Sequence, residues 1–349
     1  MKRSLYLIIY LSLLLAGCNV HEWPDKREMV SFHLNLNFHP AMGEQDYFYS
    51  RGNSRAAVDA HDLRYVVRAY PLNADGSASS DHAAEFVFSK PNTAIGDDYN
   101  YSTRLELPAG SYRLSVWADF VHAGTTNHTY YNYDNFSSIV LHGSHKANTD
   151  YRDAFSGSQH ITLESSIYED VELLNVTIEM TRPLAKYTFI STDLKGFIDK
   201  ELLRMSRNEA STGDELQSDA GSRVINLEDY KVVIYYPMYM PNTYNIFTDK
   251  AVNSATGVMY ESKLTRLDAN EASMGFDYVV INDDPDAKVT VKVGLFDLEG
   301  NQFAMSESFN IPLQRNVNTL VRGKFLVVDA DGGISIDPSF NGDHNIVLP

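Results

Sequence analysis

The sequence predicts an all-β protein built as two tandem antiparallel β-sandwiches, the second carrying a small helical insertion. Three observations predict it. Segments in which apolar and polar residues alternate with a period of two recur along nearly the whole chain. The intervals between them, such as "NADGSASSDH" and "SKPNTAIGDD", are rich in the residues that make turns. No stretch of the first half keeps a helical period, which excludes a parallel α/β architecture with its regularly interposed helices.

Taken in order, the chain begins with Lys2 and Arg3 ahead of an apolar run from Leu5 to Leu15. That run is too short and wrongly flanked for a membrane-spanning helix and reads as a secretory leader. It ends in Leu15-Ala16-Gly17-Cys18, the bacterial lipobox pattern, in which cleavage between Gly17 and Cys18 exposes a cysteine that takes a diacylglycerol on sulfur and a further acyl chain, such as palmitate, on nitrogen. Each buried methylene contributes about 0.8 kcal/mol to such an anchor, so several chains hold a protein on a membrane where one does not. The alternatives are a buried free thiol or a plain leader with an incidental cysteine. Cys18 is the only cysteine, so a mature chain has no disulfide and depends on a sizeable core. Residues 18–27 read as a lipidated spacer.

"MVSFHLNLNF" sets Val30, Phe32, Leu34, Leu36 and Phe38 against Ser31, His33, Asn35 and Asn37, the pattern of a strand with one buried face. Further strands are predicted at 63–70, 84–89, 101–108 and 112–120, with shorter ones at 137–143 and 160–163 and a closing one at 171–180. Those at 101–108 and 112–120 read as a hairpin through Pro108-Ala109-Gly110-Ser111. "RPLAKYTFISTD" opens a second half, with Pro183 near a strand start where a missing amide is tolerated. The predicted units are therefore a first sandwich over 28–180 and a second over 181–349. In the second, 193–205 reads as a helix with Leu194, Phe197, Ile198 and Leu202 on one side, and 206–222 as a polar loop. Strands follow at 230–240, 276–281, 288–297, 303–313 and 319–328, with Gly294 and Gly323 as candidate bulges or close approaches.

The chain carries 29 basic and 46 acidic residues, a net charge of −17, and loss of Lys2 and Arg3 with the leader takes it to −19. So acidic a surface argues against nucleic acid as a partner and against a polybasic contact with membrane. No nucleophile elbow, phosphate loop, zinc-protease motif or paired-cysteine metal signature occurs, and an acylated Cys18 is no nucleophile, so no catalysis and no cofactor beyond the covalent lipid are expected. His142 and His145 are close enough in sequence to share an ion, with His122 and His128 in the preceding region, but they lack partners at diagnostic spacing, and no metal site is assigned. "DDPD" at 283–286 and "DADGG" at 329–333 offer oxygen ligands without completing a calcium loop, and read first as aspartate-held turns. More suggestive are two aromatic clusters, Tyr130, Tyr131, Tyr133 and Phe136, and Tyr235, Tyr236, Tyr239, Tyr244 and Phe247. Such rings fill a core, anchor a protein partner or stack on a glycan.

Cys18 followed by "HEWPD", the segment "EMTRPLAKYTFISTD", and the ending "IPLQRNVNTLVRGKFL" with "GGISIDPSFNGDHNIVLP" resemble lipoproteins of Bacteroidales related to the anchoring and accessory subunits of fimbriae. The resemblance implies two transthyretin-like Greek-key β-sandwich domains, an outer-membrane lipid anchor exposed at the cell surface, and fimbrial or other surface subunits as partners. It also implies assembly by β-augmentation, in which an added strand satisfies the open backbone groups of an edge or groove. Stalk subunits of this kind lose an N-terminal strand by cleavage at an arginine. Arg51 and Arg55, in "SRGNSRAA", are candidates for such a protease-sensitive link, or are ordinary surface arginines. An anchor cut there would part from Cys18, so an uncleaved subunit is expected. At the other end Gly332 and Gly333 form a candidate hinge, and Ile334, Ile336, Ile346, Val347 and Leu348 either donate a strand or pack on their own domain. The competing function is a glycan-binding surface lipoprotein of a nutrient-uptake system.

Overall fold

The alternation in "MVSFHLNLNF" becomes the centre of the first core. A computed structural model describes residues 28–42, 61–91, 98–165, 173–212, 224–327 and 345–347. Cys18, Gly17, Arg51, Arg55, Gly332, Gly333, Ile334, Ile336 and Leu348 lie outside these residues. In the first half the strands are β1 (Met29–Phe38), β2 (His61–Pro71), β3 (Ala84–Lys90), β4 (Tyr101–Pro108), β5 (Gly110–His122), β6 (Tyr131–Asn132), β7 (Ile139–Leu141), β8 (Ala154–Leu163) and β9 (Leu174–Met180). Two sheets, β4-β1-β9 and β3-β2-β5-β8, face each other. Phe32, Leu34, Leu36 and Phe38 of β1 meet Leu63, Tyr65 and Val67 of β2 and Leu114, Val116 and Phe120 of β5 in one apolar cluster. Each fully buried side chain of this size stabilises the fold by about 1.5–3 kcal/mol.

The second half contains β10 (Leu184–Ser191), helix α1 (Leu194–Thr212), β11 (Tyr230–Tyr236), β12 (Met240–Asn245), β13 (Lys250–Ala255), β14 (Val258–Lys263), β15 (Thr265–Arg266), β16 (Ala272–Val280), β17 (Lys288–Asp297), β18 (Gln302–Met305), β19 (Phe309–Pro312), β20 (Asn318–Gly323) and β21 (Asn345–Val347). Sheet β15-β16-β10-β20-β21 packs on β14-β11-β17-β18, with β19 also paired to β17. Tyr187, Phe189, Val232, Ile234, Met274, Val291 and Leu295 lie in their shared core, and Leu194 and Phe197 dock α1 against it. The all-β sandwich architecture is thus as predicted, with three departures.

First, not every pairing is antiparallel: β1 runs parallel to β9, β10 to β20, and β20 to β21. Second, α1 continues to Thr212, through the start of the expected polar loop. Third, β6 and β7 from the first half join β12 and β13 from the second in a four-stranded sheet, order β13-β12-β7-β6. This sheet straddles the boundary expected at 180/181 and covers the outer face of the β3-β2-β5-β8 sheet through a third apolar cluster that includes Tyr70, Trp117, Phe136, Ile139, Tyr244 and Tyr278. β2 is consequently buried on both faces. Arg64 and Arg68, which the alternation would place in solvent, are covered. Arg64 makes two hydrogen bonds to Asp119, at 2.9 and 2.7 Å, and lies 4.4 Å from the Tyr133 ring; Arg68 pairs with Glu85 at 2.6 Å and lies over Phe136.

Close approaches require glycine at two strand positions. A Cβ on Gly294 would sit 2.7 Å from the Phe296 ring and 2.9 Å from Met305, and one on Gly157 would sit 2.6 Å from Ile178 and 2.8 Å from the Glu179 carbonyl oxygen. Gly157→Ala is expected to cost about 1–3 kcal/mol by overpacking, read as a lowered denaturation midpoint at unchanged slope.

Candidate functional site

Two features position groups that could serve assembly: the slot occupied by β1 and the junction between the halves. β1 pairs antiparallel with β4 from Met29↔Pro108 to Leu36↔Tyr101, and parallel with β9 from Phe32↔Leu174 to Phe38↔Met180. Both its edges are therefore hydrogen-bonded. Because side chains alternate, one register supplies four core residues, Phe32, Leu34, Leu36 and Phe38, and a one-residue slip would expose them all. The position between β4 and β9 is filled by the chain's own residues.

The junction is built by residues 145–153, between β7 and β8. Thr149 accepts a hydrogen bond from the Tyr151 amide and starts a short 3-10 turn over Asp150–Arg152. Three charged groups, Asp150, Arg152 and Asp153, then reach toward the second half in different directions. Asp150 accepts from Lys186 at 2.6 Å and from the Tyr278 hydroxyl at 2.9 Å. Arg152, 2% exposed, enters the second sandwich to pair with fully buried Asp277 and donates to the Tyr278 carbonyl at 3.0 Å. Asp153 receives two hydrogen bonds from Arg182, at 2.6 and 2.7 Å, and Arg182 also donates to the Pro40 carbonyl at 2.9 Å.

Asp277 is the hub of this junction. Its second oxygen accepts from His145 at 2.7 Å and from Tyr236 at 2.5 Å. Since a carboxylate only accepts, Tyr236 spends its proton on Asp277. Tyr187 then donates to Tyr236 at 2.6 Å, and Tyr260 to Tyr187 at 3.2 Å. Burial acts to raise the Asp277 carboxyl, but the Arg152 guanidinium, with His145 and Tyr236, outweighs it and holds the group below its ordinary value. The Tyr187, Tyr236 and Tyr260 phenols are pushed well above theirs, chiefly by burial. With Asp277 fully buried and its carboxyl held low, the network acts as a fastener between the two halves. Asn148, in the left-handed region at φ 56°, exchanges backbone and side-chain hydrogen bonds with Phe276 at 3.0 and 2.8 Å, into space that Gly275, at φ 118°, leaves open. An open groove of about 530 Å³ runs beside this segment, lined by Tyr130, His145, Lys146, Thr149, Met259 and Glu261.

Of the readings open for the aromatic clusters, the structure favours core packing over an exposed binding surface. Tyr130, Tyr131 and Tyr133 are buried, 8%, 1% and 9% exposed, and so is Tyr236, at 1%. The reason is the bridging sheet: Tyr130, Tyr131 and Tyr133 fill the cluster between the halves, with the Tyr131 hydroxyl donating to the Arg152 carbonyl at 2.7 Å, while Tyr236 faces Asp277. Tyr235 is half-buried and Tyr239 alone stands out, 69% exposed. Tyr239→Ala is expected to change stability by less than about 0.5 kcal/mol, whereas Tyr236→Phe, which removes a donor from buried Asp277, is expected to cost about 1–3 kcal/mol; thermal unfolding of the two variants side by side checks the contrast.

The histidines also separate. His145 turns inward to Asp277, and His142 lies against His128, ring centroids 5.6 Å apart. Among the described residues no group of three or more His, Cys, Asp or Glu side chains could hold a metal ion, and no helix is long and apolar enough to cross a membrane. At 283–286 the Asp284 side chain accepts from the Asp286 amide at 2.9 Å, an aspartate-held turn. β21, with Ile346 and Val347, runs parallel beside β20, with Ile346 opposite Val321. The Arg152–Asp277 partnership was not visible in sequence. The one available signal was the charge density of "TDYRDAF" ahead of a strand.

A family model matches residues 26–349, from the spacer through both sandwiches and the strands that join them. The chain belongs to family DUF6562, a family of unknown function. No curated protein sequence matches it. Among solved structures, this DUF6562 member is similar to a Bacteroides ovatus protein assigned as an adhesin, at 9% identity over 84% of this chain and 87% of the other, TM-score 0.43. It is also similar to a fimbrial assembly protein from Parabacteroides distasonis, at 10% identity over 88% and 96%, TM-score 0.39. A third similarity is to the fimbrial anchor protein Mfa2 from Porphyromonas gingivalis, at 9% identity over 79% and 82%, TM-score 0.38.

Proposed function

We propose that this chain is a non-enzymatic, lipid-anchored outer-membrane protein of the cell surface that serves as an anchor or accessory component of a fimbria-like assembly, keeping its own first strand. The observation that carries the reading is the placement of β1. It begins eleven residues after the lipobox Cys18 and sits between β4 and β9 with both edges paired. A chain acylated at Cys18 is thereby tied to the membrane through a strand that cannot leave without opening the core. A cut at Arg51 or Arg55 would leave that strand held only by noncovalent contacts, so an anchor is expected to keep this link uncut where a polymerising stalk subunit would lose it. Partners would then engage other edges or sandwich faces. The glycan alternative draws no support from a ring platform, since Tyr130, Tyr131, Tyr133 and Tyr236 are internal.

The test has two arms. Cells fed an alkyne-tagged palmitate should label the wild-type chain and not Cys18→Ser, with the label in the outer-membrane fraction. Crosslinking of intact cells followed by mapping of the joined peptides should recover a fimbrial subunit. A soluble, unlabelled native chain, or recovery of a sugar-uptake complex in its place, would overturn the proposal.

A further inference from the structure

We infer that the fold is a load-bearing linkage, in which two parallel strand pairs in series, β1–β9 and β10–β20, resist tension in shear when a chain held at its N-terminus is pulled through its second half. The direction of load rests on the anchor reading above; the resistance itself is a property of the register.

Tension from a tether enters β1 at Met29. Phe38, at the other end of β1, lies opposite Met180, from which residues 181–183 lead directly into β10. Met29 is thus at the pole of the first sandwich away from the junction, about 30 Å along the strand from it at ~3.3 Å per residue. Pulling separates the N-terminal end of β1 from the C-terminal end of β9. For adjacent parallel strands those are opposite ends, so the seven registered pairs from Phe32↔Leu174 to Phe38↔Met180 bear the load together. Antiparallel neighbours pulled at one shared end would open one pair at a time.

The same geometry recurs beyond the junction. Load enters β10 at Leu184 and leaves β20 at Gly323, again at opposite ends of a parallel pair, across the six pairs from Lys186↔Asn318 to Ser191↔Gly323. Between the two pairs the junction is no hinge. Arg182 binds Asp153 and the Pro40 carbonyl, Arg152 binds Asp277, and the β7–β12 pairing joins the halves a second time. The ladder is flanked by core on one side, so shearing it also exposes Phe32, Leu34 and Leu36 in the same step.

The experiment is single-molecule force spectroscopy on the full chain carrying Cys18→Ser, so that no lipid is present and the outcome is independent of acylation, which the palmitate labelling decides separately. Handles attached through Glu28→Cys and Lys324→Cys, both exposed positions, load the two pairs in shear. Handles at Glu28→Cys and Glu106→Cys, on neighbouring antiparallel strands near one pole, open β1 from β4 pair by pair. At one loading rate the first geometry is expected to rupture at a force several-fold above the second. An Asn37→Cys/Glu179→Cys disulfide across the β1–β9 pair is expected to raise the first rupture force in shear when oxidised and to leave it unchanged when reduced. Equal forces in the two geometries, or a first rupture indifferent to the disulfide, would overturn the inference. Denaturant midpoints of each handled chain confirm that the fold under load is the native one.

Discussion

Arg152→Ala is expected to lower the unfolding free energy by about 3–5 kcal/mol, because it strands a fully buried carboxylate without its principal counter-charge. The loss is measured by denaturant titration, and a second readout separates it from lost packing. In the wild type the depressed Asp277 carboxyl contributes stability that is fully present above the unfolded-state value of about 3.9 and disappears as pH falls through the lower folded-state value. Stability should therefore decline on the acid side of pH 4 with a component that belongs to this group. In Arg152→Ala that acid-side component should shrink or reverse, since burial alone raises a carboxyl. Arg152→Met, similar in length and uncharged, should behave like alanine. The double variant Arg152→Met/Asp277→Leu should recover much of the loss, because replacing both members of a buried pair by apolar groups removes the desolvation cost along with the attraction. A single variant as stable as wild type at pH 7 would show that the pair does not fasten the halves.

Phe32→Ala is expected to cost about 3–5 kcal/mol, the range for truncating a fully buried aromatic side chain. Phe32 lies at the first position of β1 registered with both neighbours, opposite Leu105 on β4 and Leu174 on β9. Its removal weakens the point where the strand first becomes paired on both sides. The consequence should reach beyond stability: limited proteolysis should cut the variant faster after Arg51 or Arg55, or release residues 28–42 more readily after such a cut, than it does in wild type. His33→Ala, on the outward face of the same strand, supplies the control and should match wild type in both assays.

How legible this was in sequence varied with the physics involved. β1, β4 and β17 were readable because each has one face in a core and one toward solvent, which is the condition under which alternation appears. β2 was readable as a strand but not as a doubly covered one, since Arg64 and Arg68 kept a polar period that the bridging sheet later buries. β12 and β13 were missed because "MPNTYN" and "KAVNSA" carry too few apolar residues to alternate, and they are ordered by pairing with β7 and with each other. Strand direction was hidden altogether: the pattern of Phe32, Leu34 and Leu36 is the same whether β9 runs with β1 or against it. The tyrosines were ambiguous for a related reason. Tyr131 and Tyr236 each offer an apolar body and a hydroxyl, qualities as suited to a partner surface as to an interior with a carbonyl or carboxylate to satisfy. Only the meeting of distant segments decided between the two.

The sheet shared by β6, β7, β12 and β13 bears on inheritance as much as on shape. A chimera spliced at residue 181 from two diverged relatives would mate half a sheet with a foreign complement, leaving Ile139 and Tyr244 to register against strangers. Recombination in this lineage should thus move the segment from β6 through β13 as one heritable block, and breakpoints between natural variants should fall outside it.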